Sequence, residues 1–354
     1  MYRSISLSPQ VRYGIVRALM AWTLLCTALG CEADPHPAAV PKWQIVFQEL
    51  PGALFSVWGS SASDVWMVGA RDPSKAGTHP TVLRWNGKAW SRVIVTAPGI
   101  DLWWVAGAPD GDVWMAGTAG TIARWRKSTG NTELLPTPGT SHLFGILPVS
   151  ATEAWAVGGS NGGPGVVWRW DGKVWSLADV PSALLTQTTQ WFKAFKHQGI
   201  LWIVGLDGKL LRYDGTTWTS PASGIERTLL TIHCSGSLCA AVGGSNTGDI
   251  VELQAGTWKK VTPGKVPQFN GVFLRPDGSG MAVGANGNIY ARSTAGVWSP
   301  VAAAPEALED YHGIWMDGAG SAWAVGGQLL GSPQVLGQVV HFGPTKVSTV
   351  VPTP

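Results

Sequence analysis

Short apolar clusters, each closed by Gly, Asn or Asp, recur along the whole chain, and seven of them end in the same Val/Ala-Gly step. The phrase reads Trp66-Met67-Val68-Gly69, Trp114-Met115-Ala116-Gly117, Trp155-Ala156-Val157-Gly158 and Trp202-Ile203-Val204-Gly205. It continues as Ala240-Ala241-Val242-Gly243, Met281-Ala282-Val283-Gly284 and Trp323-Ala324-Val325-Gly326. The glycines lie 38 to 48 residues apart, the length of one propeller blade. The pattern predicts an all-β chain: a seven-bladed β-propeller of four-stranded antiparallel blades.

Each repeat divides into four predicted strands. The first is apolar, as in Phe55-Ser56-Val57-Trp58 and Phe144-Gly145-Ile146-Leu147. Its third residue is always Val, Ile or Ala, which suits a strand crowded near a central axis. The Trp-x-Val-Gly strand is second. The third carries Leu83-Arg84-Trp85 or Trp168-Arg169-Trp170. Asn86-Gly87, Asp171-Gly172 and Asp214-Gly215 are strong two-residue hairpin signals, and each leads into a fourth strand opening on Trp90, Trp175 or Trp218. Polar–apolar alternation is weak in the first two strands, as expected where sheets pack on both faces. Blade two departs from the pattern, with Arg126–Asn131 in place of the turn and its Trp. Blade seven lacks a fourth strand of its own. Lys42–Phe47 or the tail Lys346–Val351 could supply it, and the first is favoured because strands from both chain ends would latch the ring.

Composition sharpens the picture. The chain has 354 residues, 21 Trp and 46 Gly, and only 13% of it is charged, about half the usual share. The formal charge of +3 comes from Arg3, Arg12 and Arg17. Without them 22 bases face 22 acids, so there is no electrostatic footprint for nucleic acid. Those arginines precede or enter the apolar stretch Ala18–Leu25, and Ala28-Leu29-Gly30-Cys31 follows. This reads as an export signal over residues 1–31 ending in a lipobox, with Cys31 as the lipidated residue. Residues 32–42 form a Pro/Ala-rich tether, residues 43–342 the propeller and 343–354 a tail. Cys234 and Cys239 flank a hairpin turn and are expected to pair in an exported protein.

At its Asp-Gly turns the chain resembles degenerate Asp-box repeats of the bacterial neuraminidase type. Trp58-Gly59-Ser60-Ser61-Ala62-Ser63-Asp64-Val65-Trp66 resembles secreted bacterial propeller lipoproteins with repeated Trp-Gly-Ser-Ser and Asp-Val-Trp phrases. In the Asp-box, Ser stands two before Asp and Trp five after. Here Arg169 and Arg212 replace the Ser, and Asp171–Trp175 and Asp214–Trp218 span four. The resemblance implies a propeller outside the cytoplasm and no particular activity.

Candidate chemistry is sparse. Gly158–Gly162 matches Gly-x-Ser-x-Gly, but a nucleophile elbow needs a following helix, and Gly243-Gly244-Ser245-Asn246 nearly repeats it. Arg84, Arg124, Arg169 and Arg212 share one repeat position, so stacking on Trp or pairing with turn acids is expected. Asp64, Asp110, Asp112, Glu153, Asp277 and Asp317 occupy equivalent first turns and cap them. The seven histidines show no ligand spacing, so neither metal nor cofactor is expected.

Loops joining strands two and three, and those joining successive blades, emerge on one face and vary most. Residues 71–79 and 328–334 are the clearest examples. Binding belongs on such a face, with Arg71, Asp72, Lys75, His79, Asn161, Asn246 and Gln328 as candidates. The reading is a monomeric, non-enzymatic scaffold, an outer-membrane lipoprotein or a protein of the bacterial cell surface or periplasm. It meets the membrane through the lipid anchor only and binds an envelope protein or glycan. The alternative is a glycan-acting hydrolase or lyase of sialidase-like type using Glu306, Glu309, Asp310 or Tyr311.

Overall fold

A computed structural model describes residues 41–160, 162–302, 309–344 and 346–353. The predicted signal, Cys31 and most of the tether lie outside the described residues, as do Asn161 and Glu306. The chain forms seven four-stranded antiparallel sheets arranged as blades. In blade one the strands are Leu54–Ser61, Asp64–Arg71, Pro80–Trp85 and Trp90–Arg92, from axis to rim. The strand Lys42–Leu50 pairs with Val335–Gly343 and becomes the outer strand of blade seven. Both ends of the chain therefore share one sheet, as the favoured closure requires.

The repeat glycine has a steric cause. On every innermost strand the register slips by one residue opposite this glycine, as between Leu54 and Ser56 or Phe269 and Gly271. Such a bulge brings the two backbones close. A Cβ on Gly69, Gly158 or Gly284 would lie 2.1, 1.8 or 1.9 Å from a neighbouring carbonyl oxygen. Only hydrogen fits there.

The bulged residues are Phe55, Trp103, Phe144, Phe192, Leu230, Asn270 and His312. They meet around the axis: Phe55 stacks on Trp103 with ring centroids 4.1 Å apart, and Trp103 touches Phe144 and His312. This corrects the expectation that small third-position residues line the axis. Val57, Val105 and Ile146 instead pack between blades, and large bulged side chains close the centre. Beneath them Lys193 is buried. Its Nζ donates to the Phe144 carbonyl and lies 4.2 Å from the Trp104 ring centroid. Burial pushes its ammonium down to about 7.

Tryptophan joins the blades. Trp66 packs on Trp125 of the next blade, Trp114 on Trp170 and Trp175, Trp202 on Trp258, and Trp323 on Trp85 and Trp90 across the closure. Each such side chain contributes roughly 1.5–3 kcal/mol by leaving water. Cys234 and Cys239 are cross-strand partners joined by a disulfide.

Candidate functional site

Loop lengths differ between the blades. Between strands two and three, Ala116–Ile122, Val204–Leu210 and Val283–Ile289 pair around five enclosed residues in blades two, four and six. These turns are tight because Ala119, Asp207 and Asn286 adopt left-handed φ of 54–57°. In blades one and seven the pairs Val68–Val82 and Val325–Val339 enclose thirteen. Blades seven and one are neighbours at the ring closure, so the two longest excursions stand side by side.

Two cavities lie at this seam. One, of about 380 Å³, is lined by Arg71, Pro73, Asp101, Ser332, Pro333 and Gln334. Arg71 is anchored there: its guanidinium Nη1 donates to both Asp101 carboxylate oxygens and its backbone N–H to one of them, at 2.9–3.0 Å. This ties the blade-one loop to the entry of blade two.

The second cavity, of about 460 Å³, holds Asp72, Lys75, Thr78, His79 and Arg92 against Pro51, Pro80, Val82, Val93 and Ile94. Val351, Pro352 and Thr353 of the tail form its remaining wall. The tail supplies no blade strand. It lies over the seam in extended form, with Val347 buried and the Ser348 carbonyl accepting a hydrogen bond from Trp90 Nε1 at 2.9 Å. Asp72 Oδ1 accepts from the Ser74 hydroxyl at 2.6 Å and from its backbone N–H at 2.9 Å. The hydroxyl bond is the main cause holding its carboxyl below the usual range. Lys75 is exposed and 3.8 Å from Asp72. Burial lowers the Arg92 guanidinium, partly offset by Asp72. Arg92 Nε and His79 Nδ1 are both buried without a hydrogen-bond partner among the described residues.

The other candidates are dispersed. Asn246 sits at a hairpin tip in blade five with φ of 63°, two blades from the seam. Gln328 is exposed at the base of the blade-seven loop. Glu309 shares a cavity of about 270 Å³ with Gln48, Glu49, Leu336 and Gln338. The Asp310 carboxylate accepts the Asn286 backbone N–H at 2.8 Å. Tyr311 is fully buried in the contact between blades six and seven, and burial raises its hydroxyl pKa. Among the described residues it therefore offers no surface nucleophile beside Glu309 and Asp310. The repeated arginines hold the blades: Arg84 bonds Asp64 over Trp66 and Trp125, and Arg124 bonds Asp112 over Trp114. No group of His, Cys, Asp and Glu suited to a metal occurs among the described residues. No described helix is long and apolar enough to cross a membrane.

The sequence reading does not single out Arg92. A signal exists, because the equivalent outer-strand positions hold Leu177, Ser220 and Pro300 in blades three, four and six. Only blade five repeats a cation there, Lys260.

No protein-family model matches this chain, and no curated protein does. Solved structures do. YCF48 from Cyanidioschyzon merolae is 14% identical, covering 86% of this chain and 99% of its own, with a TM-score of 0.63. YCF48 bound to D1 peptide is 12% identical over 86% of this chain and 97% of its own, at 0.61. The extracellular domain of a hybrid two-component system from B. thetaiotaomicron is 12% identical, covering 82% of this chain and 40% of its own, at 0.59. At these identities the likeness is one of fold.

Proposed function

We propose that this chain is an exported, non-enzymatic propeller that binds a protein at the seam of blades seven and one. The observation that carries this reading is the adjacency of the two longest loops around paired cavities, one of which holds an unpaired guanidinium. Rigid scaffold plus variable loops is the usual arrangement for recognition. A protein partner is favoured over a glycan because the tryptophans beside the cavity, Trp85 and Trp90, are buried and present no face for a sugar ring. A neighbour of the same fold was solved bound to a peptide, and another is an extracellular domain. Export and lipidation at Cys31 complete the proposal. They rest on the basic residues, apolar stretch and small residues that precede this cysteine.

The test replaces residues 71–79 and 328–334 with the short turn of blade two and follows capture of partners from envelope extract. Loss of a partner with the fold retained supports the reading. Unchanged capture contradicts it. Palmitate labelling that survives Cys31→Ala would contradict the anchor.

A further inference from the structure

Arg92 and its blade-five counterpart differ in one respect. Arg92 pairs in register with Leu83, and Lys260 with Val251, so the two cations occupy equivalent outer-strand positions. Lys260 is answered by the buried Asp249 at 2.8 Å. The position of Asp249 falls on Thr81 in blade one, so no carboxylate stands at the place that would answer Arg92. A buried, unpaired guanidinium N–H is costly. Asp72 offsets this only in part and through space: no hydrogen bond joins it to Arg92 among the described residues, its Oδ1 accepts from Ser74, and its other oxygen lies 3.8 Å from Lys75 Nζ.

The surroundings define what would. Among the described lining residues Asp72 faces Lys75 and Arg92, an excess of one positive charge, which matches a carboxylate and would leave a phosphate dianion uncompensated. Pro51, Pro80 and Ile94 supply an apolar floor. The chain's own tail already docks beside this cavity, where Val347 is buried and Trp90 Nε1 donates to the Ser348 carbonyl.

We propose that the groove between the outer strand of blade one and the docked tail takes an extended, Val- or Pro-containing segment of a partner protein bearing one carboxylate, which Arg92 receives. This rests on the protein-binding reading above and adds the chemistry of the partner.

Random peptides displayed on phage are selected on the purified protein, and the strongest is synthesised with a fluorophore, together with its acid-to-amide version. The expected peptide carries an acidic residue beside Val, Pro or Ile. Its affinity falls at least tenfold on acid-to-amide exchange and at least tenfold in Arg92→Gln, and the two changes together cost no more than either alone. Thr81→Asp, which gives Arg92 an internal partner as in blade five, lowers affinity similarly while Arg92 stays in place. Melting temperatures of both variants are measured, so that a folding defect is separated from lost recognition. A peptide that crosslinks to residues 71–94 but binds Arg92→Gln and Thr81→Asp like the parent overturns the role of Arg92 and leaves the seam reading standing. Failure to select any peptide, or crosslinking elsewhere, overturns both.

Discussion

Replacing Lys193 by Met should make the protein more stable at neutral pH and flatten its alkaline pH dependence. Lys193 is buried near the axis with no carboxylate partner. Its contacts are the Phe144 carbonyl and the Trp104 ring, while His312 is close enough to feel its charge. The fall from 10.5 to about 7 corresponds to about 5 kcal/mol against the charged form. The sign follows from proton counting. Between pH 7 and 10.5 the unfolded chain holds this proton and the folded chain does not, so stability rises with pH through that window. Below pH 7 both states are charged and the full cost of burial is present. Lys193→Met removes that cost but forfeits a hydrogen bond worth about 1 kcal/mol and a cation–π contact of about 2 kcal/mol. The net gain at pH 7 is about 2 kcal/mol. Urea unfolding followed by tryptophan fluorescence at pH 7 and pH 10 measures it. A variant less stable than the parent at pH 7, or one that keeps the parental slope between these pH values, would refute the reasoning.

Other outcomes follow from the same contacts. Acid should destabilise the ring between pH 6.5 and 4, because burial lowers His312 and His341 to about 4 and His233 to about 3. The unfolded chain takes up protons that the folded chain refuses, which costs about 3 kcal/mol at His312 alone; a flat melting temperature over this range would contradict it. Reducing Cys234–Cys239 closes no large loop and should cost about 2 kcal/mol, read as a lowered urea midpoint with dithiothreitol. Gly284→Ala should cost on the order of 3 kcal/mol, since its Cβ would meet the Gln268 carbonyl at 1.9 Å, whereas Gly318→Ala, with open space around it, should be near neutral. Equal stability of the two would remove the steric account of the repeat.

Much of the architecture was legible because the constraints repeat. The Val-Gly step recurs since each blade makes the same close backbone approach, and Trp recurs since each blade must fill the same gap. Lys42–Phe47 could be assigned to blade seven for the same reason: it carries a fourth-strand Trp with no blade of its own. The bulges were not legible, because one extra residue on an apolar strand leaves its composition unchanged. By composition Val57 and its equivalents suit the axis, whereas the bulges bring Phe55 and Trp103 there. The loop 71–79 was visible as a variable segment. What it encloses was not, because Arg92 acquires meaning only from Thr81 and Asp72, which tertiary structure brings near. The burial of Tyr311 is not visible beside its acidic neighbours in sequence. Tyr311 shares the strand Asp310–Met316 with Asp310, and its side chain is buried.

The most direct test of the account is site-specific photocrosslinking in intact cells. A benzophenone side chain is placed at Lys75, at Gln334 and, on the opposite face, at Lys173. The account predicts one shared adduct from Lys75 and Gln334 and none from Lys173. An adduct at Lys173 alone, or equal labelling at all three positions, would contradict recognition at the seam.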